Sequence, residues 1–143
     1  MAFKFERLEV WHLALAYIDL VYEIAEGLPA SERYNLRAQI TRAATSVALN
    51  IAEGSTGQTD VEHARFLGFA IRSVHETVAC LHIIKRRRLL ADEVQWQQTY
   101  QQAEKLAAKL QAMRRTVEPT QGWVREDSVI YQSNGGGGLS DDE

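Results

Sequence analysis

The sequence predicts an all-α fold, an up-down-up-down four-helix bundle, and three observations carry that prediction. Only 2 Pro occur among 143 residues, and four of the 9 Gly are consecutive near the end, so the first three quarters hold almost no helix breakers. Apolar residues there recur at steps of three and four, the spacing that keeps them on one face of a helix. The breaks between these stretches are short, which sets successive helices side by side and antiparallel. At 45% hydrophobic and 24% charged, the chain suits one compact domain and is too short for two of ordinary size.

The first helix is expected from about Arg7 to Glu26, with Leu8, Trp11, Leu15, Ile18, Tyr22 and Ala25 as its core face. Beside them Val10, Tyr17 and Ile24 repeat every seven residues, with Leu13 and Leu20 nearby, a second stripe wider than one contact in a small bundle requires. Either the helix is touched on two sides or the stripe is a subunit interface, because large exposed apolar patches are uncommon on monomers. Gly27, Leu28 and Pro29 end this helix. The second begins around Ala30 to Glu32 with Ser31 as N-cap and runs to about Glu53, where Gly54 supplies a residue tolerant of positive φ.

Its centre is the stretch Leu36 to Gly54, LRAQITRAATSVALNIAEG, whose alanines allow another backbone to come close. Gln39, Arg42, Ser46, Asn50 and Glu53 thread it at steps of three and four, forming one polar stripe. The third helix is expected after a capping box of Thr59 and Glu62 and runs to about Arg88, with Leu67, Ile71, Val74, Val78 and Leu81 as its seam. Asp92 caps a fourth helix through about Arg115, amphipathic along Trp96, Tyr100, Ala103, Ala107 and Leu110. The bundle therefore spans residues 1–116. Residues 117–143 form an acidic, Gly-rich tail, expected to be largely disordered, with Trp123 and the triplet Val129, Ile130, Tyr131 as docking points.

Charge divides at the same place. The tail holds six acids against Arg125, a net −5, so the remainder carries +2 of the chain's −3. A single cysteine, Cys80, excludes an internal disulfide and a cysteine-built zinc site, and its apolar neighbours suggest a small buried side chain. No apolar run approaches the roughly 18 residues of a membrane span, and the N-terminus carries charges where a signal peptide needs an apolar run. The expectation is a cytoplasmic protein without membrane contact.

Catalytic and metal chemistry find little support. A carboxylate-bridged metal pair in a four-helix bundle needs two Glu-x-x-His motifs, and only Glu9 with His12 makes one. His75 and His82 share a helix face two turns apart, too far to bind one metal. Cys80 lies amid apolar residues, where a thiol is inert, and the GGGG of the tail precedes acids rather than a helix. No enzymatic activity, metal or cofactor is expected.

The basic residues are more informative. Lys85, Arg86, Arg87 and Arg88 end the third helix, where cations also complement the helix dipole, yet four in a row exceed that need. With Arg33, Arg37, Arg65 and Arg72 they form the candidate contact surface for RNA or DNA phosphates. The polar stripe reads instead as a structural network, in which Gln39, Arg42, Ser46, Asn50 and Glu53 face Ser73 and Glu76, and Arg42 pairs with a carboxylate such as Glu76 to fix the register of helices two and three.

These residues also carry linked motifs in order: Phe5 to Trp11 as F-x-x-L-x-V-W, then Glu32, Tyr34 and Leu36, then Gln39 to Arg42 as Q-I-x-R. Ser46, the run Asn50 to Gly54, Phe66 with Leu67, and Ser73 to Glu76 as S-x-x-E follow. In these the sequence resembles the four-helix-bundle proteins typified by those encoded in intervening sequences of bacterial 23S ribosomal RNA genes. It is similar also to the accessory variability protein of diversity-generating retroelements, a basic pentameric bundle that binds nucleic acid. The resemblance implies a homo-oligomeric ring, typically a homopentamer, without enzymatic activity. It departs from the pattern at Ala48, where many members carry Pro, in the less basic loop Ser55 to Gly57, and in the acidic tail. The remaining reading is a scaffold that binds another protein and no nucleic acid.

Overall fold

The computed structural model describes residues 2–56 and 59–118, and no strand occurs among the described residues. A 3-10 turn at Lys4–Arg7 leads into α1 (Glu9–Glu26), a second 3-10 turn at Ala30–Glu32, then α2 (Leu36–Gly54), α3 (Asp60–Arg86) and α4 (Glu93–Val117). The expected tail beyond Glu118, with Trp123 and the triplet at 129–131, lies outside the described residues, as do Gly57 and Gln58.

Each helix packs on its neighbours around a closed circuit, α1 on α2, α2 on α3, α3 on α4 and α4 on α1. The contacts also give the directions. Ser46 meets Ser73 and Gly54 meets Phe66, so α2 and α3 run opposite ways. Trp96 reaches Leu81 and Arg114 reaches Gly68, so α3 and α4 do the same, and Glu9 pairs with Lys109 between α1 and α4 at 3.4 Å. Leu67, Val74, Leu81 and Ile84 of α3 fill the centre with Ile40, Val47 and Ile51 of α2 and Leu106 and Leu110 of α4.

The burial of α1 is centred on the stripe expected to be secondary, while Ala25 of the expected face is buried and Leu8, Trp11 and Ile18 pack at the core's edge. Val10, Ala14, Tyr17, Val21 and Ile24 form the buried series, because Ala14 and Val21 complete the steps of four and three between the members of the supposed second stripe. Leu15 and Tyr22, assigned to the core by pattern, are 40% and 44% exposed. The extra apolar stripe of α1 is therefore the one containing Leu15 and Tyr22.

Tyr17 carries a polar link through the centre, from α1 to α3. The Thr77 hydroxyl donates to the Val74 carbonyl, so the Tyr17 hydroxyl donates to Thr77 Oγ1, at 2.6 Å. Burial pushes the Tyr17 phenol up to about 12, against the smaller opposing effect of that hydrogen bond.

Helix ends differ from expectation in instructive ways. Ser31 does not cap α2, since residues 30–32 form a separate turn and the helix starts at Leu36. There the Glu32 carboxylate accepts from Asn35 Nδ2 at 3.0 Å and from the Leu36 amide at 3.4 Å, taking over the capping role. Thr59 does cap α3, accepting from the Glu62 amide at 3.0 Å, but the Glu62 carboxylate turns to Arg65 and leaves the box half-built. Asp92 caps α4 through the Gln95 amide at 3.0 Å.

Gly54 is not a positive-φ cap. It is the buried last residue of α2, and a Cβ there would lie 2.8 Å from Phe66 Cβ, so its role is to let α2 and α3 touch. The left-handed residue is Arg88, with φ 56°, at the end of α3. Its amide donates to the Lys85 carbonyl at 3.0 Å and the Leu89 amide to the Ile84 carbonyl at 3.1 Å, the paired bonds of a Schellman motif with arginine where glycine is usual.

Contrary to expectation, α3 has the length and composition of a marginal membrane span. Its apolar face is packed between α2 and α4, as befits a core helix.

Candidate nucleic-acid interface

The eight basic residues singled out by sequence fall into two groups at opposite ends of α3. Because α2 and α3 are antiparallel, Arg33, just before α2, and Arg37, in its first turn, belong to the same end as Lys85 to Arg88. Arg65 and Arg72 occupy the other half of α3.

At the first end, two of the six are engaged by neighbouring groups, Arg37 half-buried and Lys85 exposed. Arg37 is half-buried and donates from Nη2 to the Leu28 carbonyl at 2.9 Å, tying the α1–α2 connection to α2. Lys85 sits 4.4 Å from the centre of the Trp96 ring, a contact that joins the end of α3 to α4, and 4.0 Å from the exposed Glu93 carboxylate, a pair worth little. Trp96 is stacked on Tyr100 at 5.3 Å, and His82 meets both rings edge-on. Arg33 lies over the exposed Tyr34 ring at 5.1 Å. Arg86, Arg87 and Arg88 are exposed, and no carboxylate pairs with them among the described residues.

At the other end, aromatic rings support the guanidinium groups. Arg65 lies over Phe69 at 5.2 Å and over Phe66 at 5.8 Å, and Arg72 over the same Phe69 at 5.7 Å. Arg65 also pairs with Glu62 at 3.1 Å, a contact too exposed to hold it firmly. Arg72 has no ion pair among the described residues. Sequence reasoning missed the partner that α4 brings here. Arg114 faces Arg65 and Arg72 across a cleft of about 580 Å³, with His75 and Phe69 in its walls. A basic residue opposite Gly68 could have been sought on α4 only once the α3–α4 register was known.

The polar stripe of α2 holds together in part. Asn50 donates to the Ser46 carbonyl at 2.9 Å and to Ser46 Oγ at 3.1 Å, and Ser73 donates to Ser46 Oγ at 3.0 Å, the link that crosses to α3. Arg42 does not pair with Glu76. It turns along its own helix to Gln39 Oε1 at 3.3 Å and lines a groove with Tyr22 of α1. Glu53 and Glu76 are exposed, where an ion pair is screened by solvent and worth little.

The residues considered for metal or thiol chemistry are engaged elsewhere. Glu9 pairs with Lys109, and His12 Nε2 donates to the Glu6 carbonyl at 2.8 Å. Among the described residues no three His, Cys, Asp or Glu side chains are grouped to hold a metal ion. Cys80 is buried, and burial first, then the Glu76 carboxylate, pushes its thiol up, away from the reactive thiolate.

The family model described as 23S rRNA-intervening sequence protein matches residues 6–112, the whole of the bundle but its last turn. The chain belongs to that family. Among solved structures, it is similar to the crystal structure of a protein of unknown function from the S23 ribosomal protein family of Bacteroides thetaiotaomicron VPI-5482, with a TM-score of 0.66 and 20% sequence identity. The match covers 73% of this chain and 97% of that one, and at this identity it establishes a shared fold. No curated protein matches the sequence. Membership therefore gives this chain a helical fold in a family of unknown function.

Proposed function

We propose that this chain is a non-enzymatic, homo-oligomeric helical-bundle protein of the cytoplasm that contacts nucleic acid, RNA or DNA, through the outward face of α3. The observation that carries the reading is a line of guanidinium groups. Arg65, Arg72 and Arg86 recur at multiples of seven on α3, all exposed, and Arg72 and Arg86 lack a carboxylate partner among the described residues. Arginine suits this use, since its planar fork matches phosphate oxygens and its face stacks on rings such as Phe69.

Filter binding of structured RNA and of duplex DNA across a salt series tests it. Affinity should fall as salt rises, and replacing Arg72 and Arg86 by Gln should lower the slope of log affinity against log salt by about one for each phosphate no longer neutralised. Absence of binding at low salt, or binding indifferent to salt, overturns the proposal.

The homo-oligomeric part of this reading draws on a different surface. Tyr22 and the 60% exposed Leu49 line a groove with Ala38, Thr41 and Thr45, and the exposed Leu15 stands two turns before Tyr22 on α1. Self-association of this face would account for the extra stripe on α1 and is compatible with nucleic-acid contact on α3. Sedimentation of the full chain at micromolar concentration should find an oligomer that Leu49→Glu disperses, and a monomeric wild-type protein refutes the assembly.

A further inference from the structure

The cleft between α3 and α4 has a feature that a solvated basic face does not need. Arg114 is drawn over the backbone of α3 at Gly68, where a Cβ would stand 3.1 Å from Cζ, 3.1 Å from Nη1 and 3.3 Å from Nη2. Three nearly equal distances mean that the guanidinium lies flat across the glycine, with one face covered. Arg114 Nε is shut off from solvent and has no hydrogen-bond partner. Arg37 Nε and His63 Nε2 are covered in the same way, so what Arg114 offers the cleft is the remainder of its half-buried guanidinium. Arg65, Arg72 and His75 converge on the same space, and the carboxylate lining it is that of the exposed Glu118 at the end of α4.

We infer that this cleft is a phosphate-binding site, formed by Arg65, Arg72 and Arg114 with His75 at its wall and Gly68 as the residue that admits the Arg114 guanidinium. Three forked donors lining one cleft fit a tetrahedral oxyanion better than a single carboxylate. The site is discrete where the line on α3 is extended, and one of its three arginines comes from α4. It deepens the nucleic-acid reading when the phosphate belongs to a strand, and it does not require that reading when the phosphate is free or carried by a nucleotide.

The experiment follows the amide of Gly68 and the Nε–H of Arg114 by nuclear magnetic resonance in the full chain, while inorganic phosphate replaces chloride at constant ionic strength. Both signals should shift saturably, and those of Arg86 to Arg88 should not follow the same curve. Gly68→Leu fills the cleft without altering charge and puts a good helix former inside α3, so it should keep the fold and weaken phosphate affinity by about tenfold or more. Arg114→Gln should do the same, and it serves as the second variant if Gly68→Leu unfolds. Shifts that fail to saturate, or that survive both substitutions, overturn the site. A 5′-phosphorylated oligonucleotide compared with its 5′-hydroxyl form identifies the source: preference for the phosphorylated form, abolished by Arg114→Gln, supports a strand end, and saturable phosphate binding without that preference supports a free phosphate or nucleotide. Phosphate binding without any oligonucleotide binding keeps the cleft and refutes the nucleic-acid reading, whereas oligonucleotide binding without cleft shifts does the reverse.

Discussion

Two glycines on the helix faces should respond to alanine with opposite signs. A methyl at Gly54 would stand 2.8 Å from Phe66 Cβ and 3.3 Å from His63 Cδ2. Phe66 Cβ is held by the α3 backbone, so relief requires α2 and α3 to separate, and overpacking of this kind costs about 1–3 kcal/mol. Alanine recovers less than ~1 kcal/mol of helix propensity at the end of α2, leaving Gly54→Ala destabilised by about 1–2 kcal/mol. At Gly68 the obstructing atoms belong to the far end of the Arg114 side chain, at 3.1–3.3 Å, which moves by rotation about its own bonds. There the propensity gain dominates, and Gly68→Ala should be stabilised by about 0.5–1 kcal/mol. Urea denaturation followed by circular dichroism at one fixed protein concentration measures both, the concentration being held because assembly would contribute to apparent stability. If Gly54→Ala is as stable as wild type, or Gly68→Ala loses as much as Gly54→Ala, the close-approach argument is wrong.

Arg88→Gly removes a left-handed arginine and should raise stability by about 1 kcal/mol while weakening nucleic-acid affinity, the two read by the same denaturation curve and by filter binding. Tyr17→Phe leaves Thr77 without its donor and should cost about 1 kcal/mol at neutral pH. Because the folded-state phenol is raised to about 12, the unfolded chain loses that proton first, so wild-type stability should fall as pH rises from the ordinary tyrosine value of about 10 towards 12. The difference between wild type and Tyr17→Phe isolates that slope, and equal slopes would refute the assignment. Lys85→Ala should loosen the α3–α4 corner, measurable as a lower melting temperature, with little change in the salt slope of nucleic-acid binding, since its charge is already engaged by Trp96 and Glu93.

Much of this bundle was legible because helix spacing and caps are local properties. Thr59 and Asp92 mark their helix starts in sequence and do so in space. The faces of α1 were harder, since apolar residues surround that helix and small Ala14, rather than large Leu15, is what a close-packed neighbour admits. Glu32 as a capping group was hidden because the turn at residues 30–32 interrupts the helical pattern three residues before Leu36. The candidate site divided in the same way. Arg65 and Arg72 announce themselves at a spacing of seven on one helix, but Arg114 joins them only through the register of α3 against α4, which no spacing within either helix encodes. Arg42 stays within the stripe, bonded to Gln39, and makes no link to Glu76, which is exposed, where an ion pair gains little.

The separation of the two basic ends gives α3 the character of a ruler. Arg65 and Arg86 stand twenty-one positions apart, about 32 Å along a helix axis at 1.5 Å per residue. That is close to one turn of B-form DNA, about 34–36 Å, so a straight duplex lying along α3 would turn phosphates of the same side towards both ends of the helix. With phosphates every 3.4 Å along each strand, bridging the two ends takes about nine base pairs. Shorter duplexes would reach one end alone, and a step in affinity near that length would be the signature of a footprint set by the helix itself.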